Sequence, residues 1–278
     1  MNKLVVFSIF IIFVFLGCGS KPDNSENDRQ VIVSFSVRSL SDVRSNSTPD
    51  ENAISKVILF GVDNKGSVVE KYPLTVNSSL SGMQLTISEQ VKSLYAIANS
   101  SVSYEAANLS SLLALTEDFS NAPVSPFLMS GKADVTVNNQ VSIELIRSIA
   151  KVVISCGEGF LFQSVEVKNT PAKGYVFGQT TLSVPPSSIR INYSANSETT
   201  VYVAENSKQN PTTLIVKGTV DGKATEVSIN FLSDGGLVDI VRNTCYWVNV
   251  ALNGHDADIS IDIREWDNVV IDPINIDF

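Results

Sequence analysis

The stretch Leu145–Ile154, close to the middle of the chain, constrains the fold more than any other feature of the sequence. It reads L-I-R-S-I-A-K-V-V-I and is apolar and mostly β-branched except at Arg147, Ser148 and Lys151. Such a composition is typical of a buried β-strand. Strand-like segments and one helical segment precede it, and strand-like segments follow it. We therefore predict that this strand leaves one domain and enters the next; the alternative is a single buried strand in one large sandwich.

The beginning of the chain predicts an exported, lipid-modified protein. A short, positively charged start is followed by the largely apolar run Leu4–Leu16, which is too short to cross a bilayer as a helix. Such a run is typical of the apolar core of a secretory signal. Gly17 and Cys18 follow directly, as in a lipoprotein signal, so we predict that residues 1–17 are removed and that Cys18 is lipidated. The alternatives are an uncleaved anchor and a plain signal peptide.

The composition after the signal predicts a tether and then enough chain for two domains. Behind Cys18, the sequence as far as residue 30 contains no apolar side chain except Pro22, so we predict a flexible tether over residues 18–30. Removing residues 1–17 from the 278-residue chain leaves 261 residues, which suffices for two domains of typical size. The formal net charge is −9 and no basic cluster occurs, which argues against nucleic-acid binding.

Alternating apolar residues predict strands throughout residues 31–147, which we interpret as an N-terminal β-sandwich domain. The predicted strands are Val31–Arg38, Val57–Val62, Leu80–Ile87, Ser93–Asn99, Phe127–Gly131 and Val135–Val137. The segment Asp63–Gly66 has the composition of a hairpin turn. Between Tyr104 and Phe119 the apolar spacing changes to a helical period, which predicts one helix packed on a sheet.

Residues 148–278 show no helical period and predict a second β-sandwich domain. The predicted strands are Lys151–Ser155, Phe160–Lys168, Thr180–Val184, Thr199–Val203, Thr212–Asp221, Ala224–Leu232 and Cys245–Leu252. Asp221-Gly222 is the strongest hairpin-turn signal in the chain. Together the two halves predict a mainly β protein with two tandem antiparallel β-sandwich domains and one helix in the first.

Two cysteines remain in the mature chain besides Cys18. Outside the cytoplasm Cys156 and Cys245 could form a disulfide, provided that the fold brings their Cα atoms within about 7 Å. The alternative is two separate buried thiols.

No motif in the sequence predicts catalysis. The chain contains one histidine, His255, in a turn-like segment, and it lacks the spacing patterns of serine hydrolases, zinc proteases and phosphate-binding loops. Asp256, Asp258 and Asp262 lack the spaced loop of a known calcium site. We therefore predict a protein that is not an enzyme and that holds no metal or cofactor.

The tryptophans allow a competing interpretation as a surface glycan-binding lipoprotein. Trp247 and Trp266, with seven tyrosines, could line a platform for carbohydrate. An exposed row of aromatic rings would favour that interpretation. A lipoprotein that scaffolds another envelope complex is a third interpretation.

Six short segments resemble, in order, motifs of one known family. They are Ala96–Asn99, Pro126–Gly131, Arg147–Val152, Val201–Asn206, Asn243–Leu252 and Glu265-Trp266. This order is similar to that of the fimbrillin family, the pilin and accessory subunits of the type V pili of Bacteroidales. Arg147–Val152 corresponds to the family's middle signature, an arginine followed by apolar-Ala-Lys-Val. Ala204 stands where the family has a proline, and Phe127 and Leu128 are an insertion.

The resemblance implies a fold, a function and a location. The fold would be a pair of transthyretin-like β-sandwiches. The function would be that of a structural or adhesive pilus subunit, exposed on the cell outer membrane and in the fimbria, with an exported lipoprotein as its precursor. The partners would be other pilus subunits, in a homopolymer or a heteropolymer, the outer membrane through the lipid, and a host or bacterial surface ligand. Stalk, tip and anchor roles all stay open.

The resemblance also implies assembly by exchange of β-strands. A protease would cut after an arginine behind the first strand, Val31–Val37, with Arg44 as the first candidate and Arg38 as the second. A strand from another subunit would then fill the groove. The donor candidate is Ile271–Phe278, whose Ile274, Ile276 and Phe278 would occupy the pockets. The alternatives are an ordinary surface arginine and a last strand that completes its own domain.

Overall fold

The computed structural model describes residues 28–38, 49–75, 82–179, 188–194, 198–233, 236–253 and 256–265. These residues are mainly β. The strands before residue 148 are β1 Asp28–Val37, β2 Lys56–Val62, β3 Val68–Thr75, β4 Met83–Ser88, β5 Ser93–Ala98, β6 Thr116–Asp118, β7 Met129–Asp134 and β8 Gln140–Arg147. The helical elements within the described ranges are the 3₁₀ turn Pro49–Asn52 and the helix α1, Leu109–Leu113.

The strands after residue 148 belong to further sheets. They are β9 Ile149–Cys156, β10 Phe160–Pro171, β11 Lys173–Tyr175, β12 Ser188–Ser194, β13 Glu198–Ala204, β14 Thr213–Val220, β15 Lys223–Asn230, β16 Leu232–Ser233, β17 Gly236–Leu237, β18 Thr244–Asn253 and β19 Asp256–Glu265. Among the described residues, no helix is long and apolar enough to cross a membrane.

Seven strands of the first group, all except β6, form one sheet in the order β3-β2-β5-β7-β8-β1-β4. β7 and β8 are joined by only two residue pairs, Met129 with Arg147 and Ser130 with Ile146. Apolar side chains from both sides of this narrow joint pack into one buried cluster, which includes Val33 of β1 and Leu59 of β2. The two parts of the sheet therefore face each other as the layers of a sandwich.

The second group forms two four-stranded sheets that enclose a second buried cluster. Their orders are β13-β9-β18-β19 and β12-β10-β14-β15. Val152 of β9 and Tyr246 of β18 meet Val165 of β10 and Val216 of β14 in this cluster. The hairpin between β14 and β15 turns at Asp221 and Gly222, both at positive φ (49° and 76°), which confirms the predicted turn.

A third buried cluster lies between the two groups of strands. It combines Phe60 and Tyr95 of the first group with Val153, Phe177 and other side chains of the second. A short antiparallel ribbon, β6 with β11, adds backbone pairing across the same boundary. The two groups therefore share buried apolar surface as well as hydrogen bonds.

The predicted continuous strand Leu145–Ile154 is interrupted at Ser148, so that prediction is wrong in its detail. β8 ends directly before this residue and β9 begins directly after it. The two strands belong to different sheets. The Ser148 N–H donates to the carbonyl of Leu128 (2.9 Å), outside both ladders, and its hydroxyl faces the carbonyl of Val176 (3.4 Å). These bonds satisfy the polar groups where the chain changes sheets.

The prediction of purely antiparallel sheets is wrong for two strand pairs. β1 runs parallel to β8, and β9 runs parallel to β18. Alternation of apolar residues determines which side chains face the core, but it is the same for a parallel and an antiparallel neighbour. The remaining main ladders are antiparallel, as predicted.

The predicted helix between Tyr104 and Phe119 exists only over α1. The side chain of Asn108 caps its first turn by accepting the N–H of Ser111 (2.9 Å), and Ala114 ends it. The residues that follow pair as β6 with β11, so strand pairing competes successfully with a longer helix.

We expect Gly131→Ala to destabilise the protein by roughly 1–3 kcal/mol, because overpacking is costly in a close-packed core. A Cβ atom at this position of β7 would lie 2.2 Å from the backbone oxygen of Glu144 in β8. Urea unfolding measures the change. Gly236→Ala is the matched control, since its added Cβ atom would lie 3.8 Å from the backbone oxygen of Ser233, an ordinary contact distance. Equal midpoints for the two variants would contradict the prediction.

Candidate functional site

The first strand, β1, connects two strands that are offset from each other. It pairs in parallel with β8 over residues 32–37 and antiparallel with β4 over residues 28–33. The two ladders overlap only at Ile32 and Val33. Because β4 stands at the edge of the sheet with β1 as its neighbour, β1 alone joins it to the sheet.

The side chains of β1 alternate between the core and the surface. Val31, Val33 and Phe35 are buried in the first cluster, whereas Ile32 is 40% exposed. Burying each of these core side chains stabilises the fold by about 1.5–3 kcal/mol. Removing the strand would therefore open an apolar groove whose floor includes Ile143 and Ile87.

Arg38, the second candidate for proteolytic cutting, directly follows β1. Its N–H donates to the carbonyl of Leu145 (2.8 Å), and its own carbonyl accepts from Arg147 (3.4 Å). Its guanidinium pairs with Glu144 (2.7 Å), although both side chains are about half exposed. A protease must detach this backbone before it can cut after Arg38, so cleavage there requires local unfolding.

The guanidinium of Arg147 lies at the centre of a buried polar network. Its side chain is completely buried, at the point where β8 ends. It donates to the carbonyl of Glu51 (3.1 Å), to Oδ1 of Asn243 (2.8 Å) and to the side chain of Asn52, besides the carbonyl of Arg38. Both ends of residues 38–52 therefore converge on one side chain.

Glu51 anchors the 3₁₀ turn to the C-terminal sheet that contains β9 and β13. Its carboxylate is buried and accepts from Nζ of Lys151 (2.9 Å) and from the hydroxyl of Tyr202 (2.6 Å). The ring of Tyr202 packs on that of Phe127 with centroids 4.5 Å apart. The network thus links the segment after β1 to both groups of strands.

The sequence identified Arg147 as part of a motif but gave no indication of its partners. Glu51 stands in a polar stretch that carries no periodic signal, and Asn243 begins a segment that resembles a family motif but does not reveal which side chain it contacts. Positive φ at Asn243 (54°) is the one local feature typical of asparagine. Their convergence depends on tertiary structure alone.

Several predicted site residues lie outside the described residues. They are Cys18, Arg44, His255, Trp266 and the donor candidate with Ile271, Ile274, Ile276 and Phe278. The roles predicted for them stay predictions. Trp247 packs against the third cluster, and the exposed large apolar side chains are all aliphatic, so the residues whose side chains the structure describes provide no exposed aromatic row.

The disulfide considered for Cys156 and Cys245 does not form in this fold. On the parallel pair β9 and β18, Cys245 stands opposite Lys151, whereas Cys156 stands opposite Val250. The five-residue offset from 151 to 156 corresponds to about 17 Å along a strand, well beyond disulfide reach. Two separate thiols are what the structure shows. Among the described residues, no group of three His, Cys, Asp or Glu side chains could hold a metal ion.

Comparison with known proteins gives matches in structure only. No family model matches the chain, and no curated protein matches it in sequence. The tip fimbrial protein Mfa3 from Porphyromonas gingivalis with C-terminal truncation has a TM-score of 0.63 at 14% identity, over 86% of this chain and 100% of that one. A fimbrilin (fimA) from P. gingivalis W83 has a TM-score of 0.59 at 13% identity, over 87% and 99%.

Other solved structures with a similar fold are also described as fimbrial or cell adhesion proteins. A fimbrial assembly protein from Parabacteroides distasonis has a TM-score of 0.58 at 14% identity, over 84% of this chain and 99% of that one. Further matches are proposed cell adhesion proteins of Bacteroides and Parabacteroides. At such low identity these likenesses establish the fold, and the resemblance to fimbrillins seen in the sequence is confirmed at that level.

We expect Arg147→Leu to destabilise the chain by roughly 3–5 kcal/mol, because buried polar groups would lose a charged partner. Arg38→Ala is the matched control and should cost less than about 1 kcal/mol, as is usual for an exposed ion pair. Urea unfolding followed by tryptophan fluorescence measures both. A similar small cost for the two variants would show that the buried network contributes little.

We expect Cys156 to react slowly with alkylating agents in the folded protein. Burial raises the pKa of its thiol from 9.0 to about 11. Since the thiolate is the nucleophile, its fraction at pH 8 falls about a hundredfold, and the rate should rise about tenfold per pH unit up to pH 10. Iodoacetamide labelling read by mass spectrometry tests this, with the urea-unfolded chain as the fast control. A reductant-sensitive Cys156–Cys245 crosslink would contradict the assignment of two thiols.

Proposed function

We propose that this protein is a fimbrillin-type subunit of a pilus or adhesion structure and that it assembles by exchange of β1. The observation that carries this proposal is the position of β1 between β8 and β4. A strand that is part of the core, that comes first in the described chain and that joins two offset neighbours can be replaced by a strand of another copy. The fimbrial descriptions of the similar structures support a structural role rather than catalysis.

The donor candidate repeats the apolar pattern of β1. The inward-facing residues of β1 are two β-branched residues and a phenylalanine at alternate positions, Val31, Val33 and Phe35. The same pattern occurs in Ile274, Ile276 and Phe278. A donor aligned in this way would fill each pocket with a side chain of similar or slightly larger size and would place polar residues outward.

The remaining parts of the proposal concern export and organisation. Cys18 would carry the lipid, and the protein would be displayed on the outer membrane before it enters a fimbria. The tether would end at residue 27, not at residue 30 as predicted, because Asp28–Gln30 already pair with β4 as part of β1. The two transthyretin-like domains would comprise residues 31–147 and 148–278, a division that the change of sheet at Ser148 supports. Other pilus subunits, and a surface ligand of the host or of bacteria, would be its partners.

Arg44 is the better of the two candidate cut sites. The backbone of Arg38 is hydrogen-bonded on both sides, to Leu145 and to Arg147, and a folded substrate resists cleavage at such a position. A cut between residues 38 and 49 would leave β1 held by its two ladders and its buried side chains. We therefore expect β1 to stay bound after the cut until another strand displaces it.

Limited proteolysis of residues 19–278 tests the proposal. We expect trace trypsin to cut after Arg44 first, and SDS-resistant ladders to follow, because the donor replaces β1 in a neighbouring copy. Mass spectrometry identifies the new N-terminus, and gel electrophoresis detects the ladders. Arg44→Gln should abolish the early cut.

Two substitutions in the donor candidate test its inward and outward faces separately. Ile276→Asp places a charge in a pocket and should abolish the ladders, whereas Asn275→Asp introduces the same side chain on the outward face and should preserve them. A cut without ladders, or ladders in both variants, would overturn strand exchange as proposed.

A further inference from the structure

We propose that Arg147 couples the occupancy of the β1 position to the start of residues 266–278, the segment that contains the donor candidate. The inference rests on the proposed strand exchange and adds a regulatory step to it. In this arrangement, a chain that retains its own β1 keeps the base of its donor segment firmly paired. A chain that has lost β1 holds that base less firmly and presents the donor more readily.

One nitrogen atom of Arg147 contacts both sides of this coupling. Its Nη1 donates to the carbonyl of Arg38 at 3.4 Å, at the end of β1. The same Nη1 donates to Oδ1 of Asn243 at 2.8 Å, directly before β18. A change in one of these bonds therefore alters the geometry available to the other.

Asn243 is the last residue before the ladder that leads to the donor segment. Its N–H donates to the carbonyl of Ile149 (2.8 Å), and the next residue, Thr244, pairs with Glu265. Glu265 is the last residue of β19, and residues 266–278 continue from it in the sequence. The end of the strand to be removed and the base of the strand to be donated are thus connected through one side chain.

Burial strengthens the bond between Arg147 and Asn243. Arg147 is 0% exposed and Asn243 is 6% exposed, so their hydrogen bonds are formed away from bulk water. Hydrogen bonds of charged groups in such an environment strengthen one another. When β1 leaves, the carbonyl of Arg38 leaves with it and water gains access to the guanidinium. The hold of Arg147 on Asn243 then weakens, and the pair formed by Thr244 and Glu265 opens more often.

The sign of the coupling follows from a comparison of the chain that retains β1 with the chain that has lost it. Arg147 contacts Arg38 only while β1 is in place, so the presence of β1 favours the ordered arrangement of Asn243. By thermodynamic linkage, a loosened Asn243 must in turn loosen the end of β1. This reciprocity allows the coupling to be measured on the uncut chain.

Hydrogen exchange of residues 19–278 with Asn243→Gly tests the coupling. Glycine keeps the positive φ of this position (54°) and removes only the side chain that accepts from Arg147. We expect the amides of Arg38 and Glu265 both to exchange at least about tenfold faster than in the unmodified chain. Arg147→Lys should act in the same direction, because lysine lacks the planar fork.

Asp221→Gly is the matched control, since it replaces another positive-φ residue (49°) in the turn between β14 and β15. It should leave both amides unchanged. Faster exchange at Glu265 without any change at Arg38 in Asn243→Gly would overturn the coupling, even if Arg147→Lys failed to fold. Because the measurement uses the uncut monomer, it is independent of ladder formation: absent ladders would refute strand exchange alone.

Discussion

The buried guanidinium of Arg147 is the constraint on which the arrangement of the chain depends. A charged group away from water is tolerated only when its donors find acceptors. Here the acceptors come from the end of β1, from the 3₁₀ turn at Glu51 and Asn52, and from Asn243 before β18. These segments are distant in sequence, and none of them can move without affecting the same charge. Through the hydrogen bonds of this arginine, the position of β1 is linked to both groups of strands.

The offset between β8 and β4, the neighbours of β1, determines whether these two strands could pair directly in the absence of β1. β8 and β4 are antiparallel to each other, and two such strands could in principle pair directly. They share only the positions of Ile32 and Val33, so direct pairing would require β4 to slide by several residues along the sheet. Each one-residue step would also exchange its inward and outward side chains. In the proposed strand exchange, this offset would disfavour closure of a vacated β1 position and would favour its occupation by an incoming strand.

The sequence predicts which side chains face the core better than it predicts how the strands run. Alternation identified the buried face of β1, and Asp221-Gly222 marked a hairpin, because both signals are local. Strand direction, the interruption at Ser148 and the short length of α1 depend on partners elsewhere, as does the separation of Cys156 from Cys245. For the candidate site, the first strand could be predicted, whereas the network of Glu51 and Asn243 around Arg147 could not.

If strand exchange proceeds as proposed, chain length favours insertion of the donor candidate into a neighbouring copy over insertion into its own chain. The donor must run in the direction of β1, so Ile274 would lie at the position of Val31, far from Glu265 near Arg147. From position 38 to position 31 a strand covers about 23 Å, while the nine Cα–Cα steps from Glu265 to Ile274 reach at most about 32 Å when fully extended. They would also have to reverse direction within that length. A linker that must both extend over most of its reach and reverse gives a low effective concentration, which favours exchange between copies.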